Sequence, residues 1–227
     1  MEFLNTADFW IGLVKIVWIN IILSGDNAVV IALAARSLPP EQQKKAIMFG
    51  SGAAVVLRIV LTVVAAKLLE LSFLQIIGGV LLLWIGYQLL SGGDEEEGHG
   101  KGNGSMFAAI RTILIADLVM SLDNVIAVAA TAQGNMVLLI LGLAISIPLV
   151  IFGSTLMIKL MERFPVIITL GAALIGWVGG ETVVNDNLLH GYTMAHPWLH
   201  YVAAAAGAVL VVGLGKLSQA RAAKAQA

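Results

Sequence analysis

Residues 9–35 read FWIGLVKIVWINIILSGDNAVVIALAA, and Lys15 and Asp26 are their only charges. The hydrocarbon core of a bilayer is about 30 Å thick and takes about 20 mostly apolar residues to cross as a helix. This run is long enough. In lipid a single segment satisfies its own N–H and C=O groups only as a helix, so the stretch reads as a membrane span. Its middle is not inert, because Asn20, Ser24, Gly25, Asp26 and Asn27 interrupt the apolar residues. Intramembrane polar clusters are costly and mark function by default.

Working outward, the same pattern recurs along the chain. Of 227 residues, 59% are hydrophobic and only 12% charged, and mean hydropathy is +0.94. A soluble domain carries about 25% charged residues. Apolar runs predict seven spans, at roughly 9–35, 46–66, 71–91, 107–132, 136–158, 164–184 and 198–216. The charges Glu2 and Asp8 precede any basic residue, which does not suit a cleavable signal peptide. Placing the N-terminus outside gives the cytoplasmic segments Arg36, Lys44, Lys45, Lys101, Arg111, Lys159, Arg163, Lys216, Arg221 and Lys224, ten of the thirteen basic residues. The positive-inside rule therefore predicts an N-out, C-in protein. With no cysteine, disulfides, thiolate metal sites and thiol catalysis are excluded.

The chain also repeats itself. Asn20-x3-Ser24-Gly25-Asp26-Asn27 in the first span returns as Asp117-x3-Ser121-Leu122-Asp123-Asn124 in the fourth, offset by 97 residues. Gly78-x5-Trp84-x-Gly86 in the third returns as Gly171-x5-Trp177-x-Gly179 in the sixth, offset by 93. Three spans per unit invert the second unit relative to the first, a plan common in secondary transporters. The expected organisation is an all-α membrane protein: a first three-helix repeat over 1–91, a flexible acidic cytoplasmic linker over 92–106, a second repeat over 107–187, and an outer loop, extra seventh helix and basic tail over 188–227.

The acids define the chemistry. A central Asp costs about 2.5–3.5 kcal/mol to insert, yet Asp26, Asp117 and Asp123 all lie inside spans. Asn20, Ser24 and Asn27 fall at i, i+4, i+7, as do Asp117, Ser121 and Asn124, so each triplet forms one helical stripe. Asp26 and Asp123 point off those stripes in a regular helix. Gly25 therefore predicts local unwinding of the first helix, turning the carboxylate inward. Arg58, the only basic residue deep in a span, is positioned to neutralise one Asp. Carboxylate, amide and hydroxyl oxygens without thiolate or buried imidazole suit Mg²⁺, Ca²⁺ or Mn²⁺. Met120 reads as packing. Glu181 joins this set because repeat arithmetic pairs it with Gln88. Asn185 and Asp186 extend an outer vestibule, and His190, His196 and His200 belong to the outer loop.

On these two Asp-Asn motifs, the chain over residues 8–216 resembles the TerC family of integral membrane proteins. The resemblance implies a divalent-cation transporter, with manganese export as the activity, and kinship with a wider exporter superfamily that includes amino-acid exporters. It also implies a central site of Asp26, Asn27, Asp117, Asp123 and Asn124, with Asn20, Ser24 and Ser121 at its edge. Glu181 is added by the reasoning above. The extra cytoplasmic domains of some family members have no counterpart in these 227 residues.

The expectation is therefore a multi-pass transporter of the cell's inner or plasma membrane, not an enzyme. It needs no cofactor, binds no nucleic acid, and leaves homo-oligomerisation open. Mn²⁺ would bind at the acids, the two repeats would rock about it, and protons on the same carboxylates would drive the cycle. An exporter of a small organic solute such as an amino acid is the alternative, followed by a non-transporting scaffold. An intramembrane aspartyl protease is disfavoured because Gly-x-Gly-Asp is missing. A retinal protein needs a mid-membrane lysine in its last helix, where Lys216 sits at the end instead.

Overall fold

The computed structural model describes residues 7–23, 25–68, 71, 73–91, 103–132 and 135–225; within its helices the side chains of 7–8, 20–23, 65–68, 103–105, 123, 126–127, 129–130, 132 and 225 fall outside that description. The described residues are all helical, with no strand. In order the helices are α1 (Ala7–Leu23), α2 (Gly25–Ala35), α3 (Pro40–Leu68), α4 (Leu74–Ser91), α5 (Asn103–Ala132), α6 (Met136–Arg163), α7 (Val166–Val184), α8 (His190–Ala195) and α9 (Trp198–Ala225). Five of them, α3, α4, α6, α7 and α9, are long and apolar enough to cross a bilayer, and α1 and α2 are shorter apolar helices. α5 is 30 residues long.

The expected first span is covered by α1 up to Leu23 and α2 from Gly25, with Ser24 between them outside the described residues. The N–H of Asn27 is met by its neighbour Asp26 through a 2.8 Å bond to Oδ1. The long helices overrun their apolar windows where basic residues lie. α3 begins at Pro40, ahead of Lys44 and Lys45, while α6 reaches Arg163 and α9 reaches Ala225. Hydropathy stops at a charge, but backbone hydrogen bonding does not. α5 likewise begins at Asn103, inside the expected linker, whose residues 92–102 lie outside the described ones. The short helix α8 was not anticipated. Asn135 caps α6, its side chain accepting from Val137 and Leu138 N–H at 3.1 Å each.

Small residues decide which helices pack most closely. α7 meets α9 at Gly176 against Gly207 and at Gly180 against Ala203, where any added Cβ would overlap the facing backbone. α4 crosses α7 with Gly79 facing Gly179, a Cβ on Gly79 falling 2.5 Å from the Gly179 oxygen. These three helices form one tight group, and α1, α2, α3, α5 and α6 form a second. The groups meet in an apolar core that includes Val30 and Leu33 of α2, Leu82 and Ile85 of α4, Val119 of α5 and Ile175 of α7.

Contacts between the halves are reciprocal. A Cβ on Gly86 of α4 would lie 3.2 Å from Ile175 of α7, and one on Gly179 of α7 would lie 3.2 Å from Leu82 of α4. Gly78 seats Val119 of α5, and Gly171 seats Val29 of α2. The first glycine of each motif thus receives a valine from the Asp-Asn helix of the other half.

α4 is held at both ends by side chains from elsewhere. At its start, Asp186 accepts from the N–H groups of Phe73 (3.1 Å), Gln75 (3.1 Å) and Ile76 (3.3 Å), and also from Leu188 (3.0 Å) in its own loop. At its end, Arg36 donates to the Leu89 carbonyl and Gln219 to that of Leu90. Asp186, expected as an outer vestibule residue, is instead buried as a helix cap supplied in trans. Phe73 adopts a left-handed φ of 70° at this junction, a conformation that costs a non-glycine residue about 1–2 kcal/mol.

Candidate functional site

α2, α3, α5 and α6 converge on a small cavity of about 20 Å³. That is room for one water or one bare ion. Its polar lining is Asn27 from α2, Ser51 and Arg58 from α3, Asp117 from α5 and Ser146 from α6. Ile31, Ala54, Val55, Ile147 and Val150 close it with hydrocarbon.

One wall is electrostatically complete. Arg58 (4% exposed) pairs through Nη2 with Oδ1 of Asp117 (5% exposed) at 2.5 Å. Its Nε donates to Ser121 Oγ at 3.0 Å, and Ser121 in turn donates to Oδ2 of Asp117 at 3.3 Å. A buried charge is tolerated when it is both paired and hydrogen-bonded, which this closed ring achieves. The parallel course of α3 and α5 makes it, with Gly50 seating Ile113 two turns before Arg58 reaches Ser121.

The rest of the polar lining is incomplete. Both polar atoms of the Asn27 amide and the hydroxyl of Ser51 are buried with no hydrogen-bond partner, although Asn27 is only 3% exposed. Native structures rarely leave such groups unsatisfied, since each costs about 1–3 kcal/mol. Ser146, by contrast, donates back to the Gly142 carbonyl. Asp26, half-buried in the first turn of α2, lies within electrostatic reach of both Arg58 and Asp117. Two carboxylates against one guanidinium leave the described site with one net negative charge.

Of the residues expected from sequence, Asn27, Asp117 and Ser121 come together here and Asp26 stands beside them. Asp117 faces Arg58. Asn124 is part-buried on α5 and does not line the cavity. The side chains of Asn20 and Asp123, and Ser24 as a whole, lie outside the described residues. Glu181 is elsewhere, lining a separate pocket of about 310 Å³ with Trp177, Pro197, His200 and Tyr201 between α7 and α9. Among the described residues no three His, Asp or Glu side chains form a ready-made metal cage. Sequence reasoning missed Ser51 and Ser146. The only signal was a lone small polar residue inside an apolar run, Gly50-Ser51-Gly52 and Ile145-Ser146-Ile147, which is usually a serine bonding back along its own helix.

A protein whose described residues fold into helices, several of them apolar and long enough to cross a membrane, around a small polar cavity is an integral membrane protein built around buried polar chemistry. A profile of the integral membrane protein TerC family matches residues 5–223. The chain belongs to that family, and it is a multi-pass membrane protein. It is 47% identical over 189 residues to "Uncharacterized membrane protein YjbE" of Bacillus subtilis, covering 83% of this chain and 86% of that one. It is 28% identical over 209 residues to "UPF0053 inner membrane protein YoaE" of Escherichia coli, covering 84% of this chain but 40% of the longer relative. "Uncharacterized membrane protein YkoY" of Bacillus subtilis is 27% identical over 206 residues, covering 82% of this chain and 61% of that one. No solved structure matches.

Proposed function

We propose that the chain is a secondary transporter that exports divalent metal cations, Mn²⁺ foremost, through the cavity among α2, α3, α5 and α6. The observation that carries this reading is the unpartnered pair Asn27 and Ser51, lining an ion-sized space together with Asp117. The donors are hard oxygens, the set that Mn²⁺, Mg²⁺ and Ca²⁺ prefer. The net negative charge draws a cation in and gives an anion no seat.

Alternating access follows from the two helix groups. The cavity lies wholly within α2, α3, α5 and α6, while α4, α7 and α9 pack tightly on one another. We propose that the first group, holding the ion, tilts against the second. This replaces the rocking of one repeat against the other expected from sequence. The reciprocal glycine contacts support the inverted three-plus-three repeat. With α1 and α2 taken together as one span and α5 as another span, they also support seven spans with N-out, C-in orientation and α9 as the added helix. The membrane is the inner membrane, as the name of the relative YoaE has it for that protein. Protons arriving on the same carboxylates are the proposed exchange partner.

An amino acid is the second reading, favoured by the guanidinium of Arg58 in the cavity wall. The ~20 Å³ volume opposes it. The test is Mn²⁺ flux in proteoliposomes, with Mg²⁺, Ca²⁺ and amino acids as competitors. Saturable Mn²⁺ flux, lost in Asp26→Asn and Asp123→Asn and steepened by a pH gradient, is the expected result. No divalent flux from folded protein, with amino-acid flux in its place, overturns it.

A further inference from the structure

The transporter reading leaves Arg58 unexplained. A guanidinium is an odd wall for a cation site, since it repels the cargo and occupies one of the acids the cargo needs. It is also too deeply placed to be incidental, being 4% exposed and bonded to both Ser121 and Asp117.

Resting on the cation-transport reading of this site, we propose that Arg58 is a tethered counter-cation: it occupies Asp117 while the site is empty, and a divalent cation loads by displacing it. The geometry gives it both an anchor and a route. Nε is held by Ser121, one helical turn from Asp117 on α5, so the guanidinium can release the carboxylate while keeping one bond. Asp26 also lies within electrostatic reach. Asn27 and Ser51 offer the incoming ion oxygens that Arg58 does not use.

Charge counting shows what this achieves. Among the described residues, Asp26, Asp117 and Arg58 give the empty site one net negative charge, and a divalent cation turns this into one net positive charge. Without Arg58 the empty site would carry two negative charges through a low-dielectric core, where charge is most costly. Arg58 thus makes the return of the metal-free carrier feasible with fewer exchanged protons, and cargo affinity is what it gives up. It is a positioning and specificity residue: the ion must be charged enough to compete with a guanidinium already in place, which selects divalent over monovalent cations.

The experiment separates three quantities on purified protein: Mn²⁺ affinity by titration, Mn²⁺/Mn²⁺ exchange, and net Mn²⁺ flux in proteoliposomes. In Arg58→Gln, affinity should tighten by about tenfold or more as Asp117 loses its competitor, exchange should persist, and net flux should fall because the empty carrier no longer returns. Potassium should also become a measurable competitor. An arginine that merely ties α3 to α5 would lower all three quantities together, and that result, or unchanged affinity, overturns the proposal. If Arg58→Gln does not fold, Arg58→Lys decides. Its single-point ammonium cannot fork between Ser121 and Asp117, so Mn²⁺ should bind more tightly than in the native chain, and equal or weaker binding overturns the idea. A native chain that binds no divalent cation sinks the transporter reading itself, whereas a native chain that binds and variants that bind no better sink only the role of Arg58.

Discussion

At the scale of single residues, the site holds groups that work against stability. Asn27 and Ser51 are buried without partners, and removing such a group can raise stability even as it destroys a function. Ser51→Ala should therefore raise the thermal midpoint in detergent, by the equivalent of about 1 kcal/mol, and weaken Mn²⁺ binding at least several-fold. A variant that is both less stable and fully active would show that Ser51 is ordinary packing. Asp117→Asn should behave in the opposite way, because it strands a buried guanidinium at a cost of about 3–5 kcal/mol; thermal unfolding by intrinsic tryptophan fluorescence would read it. The acids were legible in the sequence because charge in an apolar run stands out. Ser51 was not, since a helical serine usually bonds to its own backbone. Nor was the location of Glu181, because repeat arithmetic gives a position along the chain but not the helical phase that turns this side chain towards α9.

At the scale of elements, α4 is the best-fastened helix. A carboxylate at a helix start both accepts orphan N–H bonds and complements the helix dipole. Burial works to raise the Asp186 carboxyl, but the N–H donors of Leu188, Phe73, Ile76 and Gln75 together hold it below its usual range. A lowered folded value means that the clasp contributes fully above the unfolded carboxyl value of about 3.9 and is lost as pH falls through the folded one. Native protein should thus show an acid limb in its thermal midpoint below about pH 4. Asp186→Ala, less stable at pH 7 by about 1–3 kcal/mol, should lose the part of that limb owed to the clasp. Equal midpoints for the two proteins at pH 7 would mean that the clasp contributes nothing. The polar cluster around Gly25 was readable in the sequence. The trans cap was not, since the residues it joins are 110–113 apart in the chain.

For the whole molecule, the division into two helix groups can be tested directly, because the chain has no cysteine of its own. Built Cβ positions at Gly86 and Gly78 lie 3.4 Å from the Ile175 Cβ and 3.6 Å from the Val119 Cβ, close to the separation a disulfide spans. Oxidised Gly78→Cys/Val119→Cys joins α4 to α5 and should stop flux, with reduction restoring it. Oxidised Gly86→Cys/Ile175→Cys stays within the α4–α7 pair and should be tolerated. Equal inhibition by both would refute the division. The all-helical membrane class was readable because apolar length and composition survive without coordinates. The grouping was not, because it depends on which glycine faces which. The ring of Arg58, Ser121 and Asp117 also bears on how the chain is made. Its arginine is synthesised 59 residues ahead of its aspartate. At translation rates of about 5–20 residues per second, α3 must wait roughly 3–12 s for its partner, facing an insertion cost of about 2.5–3.5 kcal/mol for the unpaired arginine. The second half of the protein is therefore what makes the first half a settled resident of the bilayer, and a ribosome stalled before α5 would leave α3 free to slip back out.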